Sequence, residues 1–258
     1  MKRFFISQHP TFGSYKNPVA HKVEQSPYYF WWLALTLNAK YWELCGSAPQ
    51  RLEKYERAMQ KAFSDFGDVR YEGDKYKAFA CWWRRKANDV ETMGEHLFSE
   101  PITATKVTLV DDIEAATQSI LDANSLLITI PKNLTRKQVD KALENIFRKE
   151  LTFEKGRQTR NPSRSNALYS LTKPVKAGSL KSAFDIIEAE REALANGRKL
   201  SNVQLADKVG LKVEISEETR AQQDGLAEYE NYLLSTTVSR KKKLARTAIA
   251  NAGIGIFP

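Results

Sequence analysis

Three histidines, at positions 9, 21 and 96, are too few and too scattered to build an imidazole-based catalytic centre. Neither they nor the two cysteines, Cys45 and Cys81, have zinc-ligand spacing. Both cysteines sit among aromatics and read as buried thiols of a reducing cytoplasm. A phosphate-binding glycine loop and a Gly-x-Ser-x-Gly elbow are missing as well. The carboxylate pairs Asp111-Asp112 and Glu217-Glu218 would point apart on a strand or helix, and read as turn or cap residues rather than as Mg²⁺ ligands. No apolar run approaches the roughly 20 residues of a membrane span. Met1–Ser7 is too short in its apolar part for a signal peptide. These shortages set the expectation of a cytoplasmic chain that is not an enzyme and uses no metal, cofactor or membrane.

Positive charge, by contrast, is abundant. Lys and Arg number 40 against 31 Asp and Glu, a net charge of +9, and the isoelectric point is near 9.4. That balance favours a polyanionic partner. The length of 258 residues and 42% hydrophobic content suit one large or two ordinary domains with real cores. Residues 151–200 carry 10 basic side chains against 5 acidic, and the densest irregular stretch is Glu154-Lys-Gly-Arg-Gln-Thr-Arg-Asn-Pro-Ser-Arg-Ser-Asn166. Glycine, proline, serine and arginine together mark a linker over 154–168. Its Arg157, Arg160 and Arg164 either track phosphates or enter a minor groove, or simply keep a spacer solvated.

The expected fold class is α+β, predominantly α. Residues 1–153 read as an N-terminal domain with an aromatic core, and residues 169–258 as a helix-turn-helix-like domain. Residues 1–25 look like an irregular arm, broken by His9-Pro10, Gly13 and Asn17-Pro18. Ser26-Pro27 then opens a helix that runs through Tyr28, Trp31, Trp32, Leu37, Tyr41, Trp42 and Leu44 with almost no polar face. The five tryptophans of residues 31–83 suggest base stacking on single strands or, better, a hydrophobic core, because their run-on spacing leaves little face to expose. A helix is expected over roughly 50–65 through Leu52, Tyr55, Met59 and Phe63. Residues 105–110 and 125–130 read as strands, and Leu134-Thr135 opens a further helix. After the linker, Leu180, Phe184, Ile187, Arg191 and Leu194 form the stripe of a helix ending at Asn196-Gly197.

The most informative segment is Ser235-Thr-Thr-Val-Ser-Arg-Lys-Lys-Lys-Leu-Ala-Arg-Thr-Ala-Ile-Ala250. On a helix, Leu234, Val238, Ala245 and Ile249 fall within about 40° of one line, while Thr236, Ser239, Arg240, Lys243, Arg246 and Thr247 gather opposite. Short hydroxyls beside long cations suit a helix in a DNA major groove; a merely solvated basic face fits the same pattern. Arg240 and Lys243 are the base-reading candidates, supported by Thr236, Ser239 and Thr247. Lys241, Lys242 and Arg246 are the phosphate candidates. Upstream, Leu200-Ser-Asn-Val-Gln-Leu-Ala-Asp-Lys-Val-Gly-Leu211 has the spacing of the first helix and turn of a helix-turn-helix: a small residue at Ala206, a glycine at Gly210, an apolar residue at Leu211. The segment between, 212–233, reads as an inserted acidic arm. Residues 207–230 hold 7 acidic against 3 basic side chains, and 239–246 none against 5.

These pieces, with Tyr169-Ser-Leu-Thr-Lys-Pro174 and the stretch Thr237 to Pro258, resemble the regulator-like family encoded on bacterial integrative and conjugative elements and plasmids. Ser26-Pro-Tyr-Tyr-Phe-Trp-Trp-Leu33 with Asn38 and Tyr41 is similar to the aromatic helix accompanying that module. The resemblance implies a double-stranded-DNA-binding transcriptional regulator of a mobile element, nucleoid-associated, working as a homodimer or with a partner regulator. A plasmid or phage replication or partition protein, and an RNA-binding or RNA-processing subunit, remain as alternatives.

Overall fold

The computed structural model describes residues 5, 12–13, 16–46, 56–100, 112–114, 116–117, 127–150, 165–171, 176–216 and 225–258. Among them the named elements are all helical: α1 (Ala20–Val23), α2 (Pro27–Leu37), α3 (Ala39–Cys45), α4 (Arg57–Phe66), α5 (Lys75–Arg84), α6 (Met93–Phe98), α7 (Arg136–Glu150), α8 (Ala177–Ala195), α9 (Asn202–Lys208) and α10 (Leu226–Ala252). Extended pairing among the described residues is confined to single bridges, Gly13 with Pro18 and Lys86 with Thr92. The strand expected over 125–130 is not formed where it is described. Among the described residues, 127–130 pair with no strand that would take their N–H and C=O groups, and Leu127 and Ile130 are exposed. The strand expected over 105–110 lies outside the described residues, as do residues 154–164 of the expected linker, with Arg157, Arg160 and Arg164.

The aromatic helix is two helices. Asn38, at φ −80° and ψ 109°, ends α2 and caps α3, its Oδ1 accepting from the Tyr41 N–H at 3.1 Å. An asparagine side chain offers a backbone donor the bond that a continuous helix would have given it. The same side chain donates through Nδ2 to the Ile249 carbonyl of α10 at 2.8 Å. One polar residue thus breaks a helix and joins the two ends of the chain.

Tyr28 to Leu35 are all buried, so α2 sits inside the structure rather than on it. Trp31 stacks on Phe66 of α4 and on Phe257 near the C-terminal end, and meets Tyr169 edge-on. Phe30 stacks on Phe184 of α8. Trp83 of α5 lies against Phe98 with centroids 5.8 Å apart, and α6 crosses it at Gly94, where a Cβ would come within 2.0 Å of the indole. Only glycine lets the backbone approach that closely. Polar ties follow the same path: Lys75 to Glu188 at 2.7 Å, Lys181 to Glu24 at 3.2 Å, and the Tyr169 hydroxyl donating to Asp65 at 2.7 Å. Residues on both sides of 154–168 therefore share one hydrophobic cluster.

Two expected faces need correction. Trp42, on α3, is 42% exposed rather than enclosed. On α8 the expected stripe holds through Leu180, Phe184 and Ile187, but Arg191 and Leu194 face solvent and the packed line passes to Ile186, Ala189 and Ala193. Alanines there let α9 and α10 come close.

Candidate nucleic-acid interface

α8, α9 and α10 form the frame of the basic face, meeting through Ile186, Ala189, Leu205, Ala206 and Val238. α9 starts at a capping box, in which Ser201 Oγ accepts from the Gln204 N–H at 3.3 Å and Gln204 Oε1 accepts from the Ser201 N–H at 2.8 Å. It ends in a Schellman motif: Leu211 N–H donates to Ala206 at 2.8 Å, Gly210 N–H to Asp207 at 3.0 Å, and Gly210 takes φ 65°. The local geometry expected of Ala206, Gly210 and Leu211 is present. The next described helix after Leu211 is α10, beginning at Leu226, so 226–233 of the expected acidic arm are its first turns, and 217–224 lie outside the described residues.

Along α10, Val238, Ala245, Ala248 and Ala252 are buried, and Leu234 and Ile249 are half-buried against α8 and α9. Arg240 and Lys243 project from the other side, exposed and with no hydrogen bond or ion pair among the described residues. Ser239 and Thr247 are exposed beside them, and Thr236 is half-buried. Asn202, at the start of α9, donates from Nδ2 to Ser239 Oγ at 2.9 Å. A pocket of roughly 370 Å³ opens here, lined by Asn202, Ser239, Lys242, Lys243, Arg246 and Thr247.

The remaining three cations turn inward, to α8. Lys241 Nζ donates to Ser182 Oγ at 2.7 Å. Lys242, with its side chain only 16% exposed, is ion-paired to Glu190 at 2.5 Å, and Arg246 reaches the other oxygen of the same carboxylate at 3.0 Å. Burial works against the Glu190 charge, but the bonds and charges of Lys242 and Arg246 outweigh it and hold this carboxyl below its ordinary range. Its contribution to stability is accordingly full above the usual carboxylate range and is lost as pH falls below it. Arg246 keeps 63% of its side chain exposed and can still meet a phosphate; Lys242 cannot do so without leaving Glu190.

Asn202 and Glu190 were not among the expected site residues. Asn202 comes directly after the Ser201 cap, which places it at a helix start; Glu190 belongs to a helix some 50 positions upstream, and only the packing of α8 on α10 makes it a neighbour. Comparison of the chain with protein-family models, with curated proteins and with solved structures finds no match. No described helix is long and apolar enough to cross a membrane.

Proposed function

We propose that the chain binds double-stranded DNA through the exposed face of α10 and acts as a sequence-specific transcriptional regulator of a mobile genetic element, with a second copy or a partner regulator supplying a further half-site. The observation that supports this reading most is the pair Arg240 and Lys243. Both are exposed and uncommitted, next to Ser239 and Thr247, on a helix anchored along its opposite side to α8 and α9. Cations held by a rigid element and free of internal partners are available to base edges. One reading helix seldom suffices for specificity, hence the second half-site.

The test is the salt dependence of duplex affinity. If Arg240 and Lys243 in the groove and Arg246 at a phosphate each displace a counterion while Lys241 and Lys242 stay on α8, the log–log slope should be about −3; if all five engage, about −4.5. An affinity that hardly changes between about 50 and 200 mM salt overturns phosphate-led binding.

Glu190 provides a second expectation. Glu190→Gln removes the charge that holds Lys242 and Arg246, so both become available to the duplex. Affinity should rise and the slope should steepen by about 1 to 2. With a parent slope near −3, an unchanged slope in a variant that folds normally would show that Lys242 does not reach DNA even when released from Glu190.

A further inference from the structure

A hydroxyl on a helix often donates into its own backbone, and two in this chain do so: Thr36 on α2 to the Leu33 carbonyl at 2.8 Å, and Ser182 on α8 to the Gly178 carbonyl at 3.0 Å. Ser239 on α10 departs from that habit. Its Oγ accepts from Asn202 Nδ2 at 2.9 Å, and it donates no hydrogen bond among the described residues. The Ser235 backbone carbonyl takes the same Nδ2 at 3.3 Å and would repel the amide oxygen, which fixes the sense of the Asn202 amide. With one lone pair engaged by Asn202, the Ser239 proton is left for an acceptor from outside.

The surroundings say that this acceptor is an anion. Ser239 lines the pocket between α9 and α10 together with Asn202, Lys242, Lys243 and Arg246. Three cations meet one carboxylate there, that of Glu190, so the pocket is positive on balance. Lys242 is committed to Glu190, whereas Arg246 gives it only Nη2 and keeps its other guanidinium nitrogens, with 63% of the side chain exposed. Arg246 lies two turns beyond Ser239, and helical side chains lean toward the N-terminus, which brings the guanidinium back toward the hydroxyl. Ser239 is exposed as well, so both donors are open to a ligand. Hydroxyl and guanidinium donors together suit a phosphate oxygen. We infer that this pocket seats one backbone phosphate of the duplex, held by the Ser239 hydroxyl and Arg246, and that Asn202 is the positioning residue that turns the Ser239 proton toward it. The seat rests on the DNA reading of α10, and Arg240 and Lys243 keep the base edges.

The test neutralises phosphates one at a time, with a methylphosphonate placed in turn at each backbone position of a duplex selected from a random pool. At one position per half-site the substitution should weaken binding of the parent about tenfold, and that of Ser239→Ala by less. Asn202→Asp is nearly isosteric and suits a first helical turn. Its carboxylate both takes the Ser239 proton and repels the phosphate, so affinity for the unmodified duplex should fall about tenfold or more. That loss should vanish on the duplex that is neutral at the same position. Loosening of α9 alone would weaken binding to every duplex alike. An Asn202→Asp loss that is equal on all duplexes, or no loss, therefore overturns the seat and leaves the α10 reading in place. Equal methylphosphonate penalties in the parent and Ser239→Ala overturn it too, without any change to α9. Inorganic phosphate competing with duplex more strongly than chloride at equal ionic strength, with every single methylphosphonate tolerated, would give the pocket to a free anion and overturn the seat. A parent that binds no duplex at all removes the reading, and the seat with it.

Discussion

Trp31→Ala should cost about 3–5 kcal/mol of folding stability, the range of large buried aromatics. Trp31 is 0% exposed and its indole touches rings from four separate parts of the chain: Phe66, Phe98, Tyr169 and Phe257. Truncation leaves a cavity that stiff neighbouring rings cannot close. In a chain of this size the melting temperature should fall on the order of 10 °C. Trp42→Ala, at a side chain 42% exposed, should stay within about 1 kcal/mol of the parent. Because Tyr169 and Phe257 lie beyond the basic linker segment and Phe66 and Phe98 before it, loss of Trp31 should lower one cooperative transition rather than one of two. Two separate transitions, only one of them shifted, would contradict the shared core.

The second large effect concerns binding. On a duplex selected from a random pool, Arg240→Ala and Lys243→Ala should each cost about 1–3 kcal/mol, and the double variant roughly 2–6 kcal/mol, with much smaller losses on random duplex. Lys242→Ala should behave differently. Its side chain is 16% exposed and paired with Glu190, so its loss leaves that carboxylate with Arg246 alone and should appear in stability before it appears in affinity. Equal losses from Arg240→Ala on selected and random duplex would remove the base-reading role. No loss on either would remove the face altogether.

Much of α9 and α10 was legible because the signals are local. Ser201 and Gln204 form their capping box within one turn, and Gly210 closes the helix by itself. The division of cations on α10 was legible too, although the expected roles did not match it. Taking Leu234 as zero at 100° per residue, Lys241 falls at about −20° and Lys242 at about 80°, beside the packing line, whereas Lys243 and Arg240 fall at about 180° and 240°. The structure accordingly turns Lys241 and Lys242 to α8 and leaves Arg240 and Lys243 in solvent. The break at Asn38 carried its own signal, a capping residue inside an apolar run, but the strength of that run suggested one helix. Other features were out of reach of any window along the chain. Glu190 meets Lys242 only once α8 and α10 have packed. The apolar residues of 125–130 read as a strand because periodicity reports burial potential and says nothing about a pairing partner.

The most direct measurement of the central claim is a contact map by photo-crosslinking to labelled duplex. A benzophenone side chain placed at Lys243 sits on the exposed face of α10, and one at Val90, 76% exposed in the segment between α5 and α6, serves as the surface control. A crosslink from position 243 that is competed by unlabelled duplex and weakened by added salt is expected, and none above background from position 90. Crosslinking from position 90 at equal or greater yield, with position 243 silent, would contradict it.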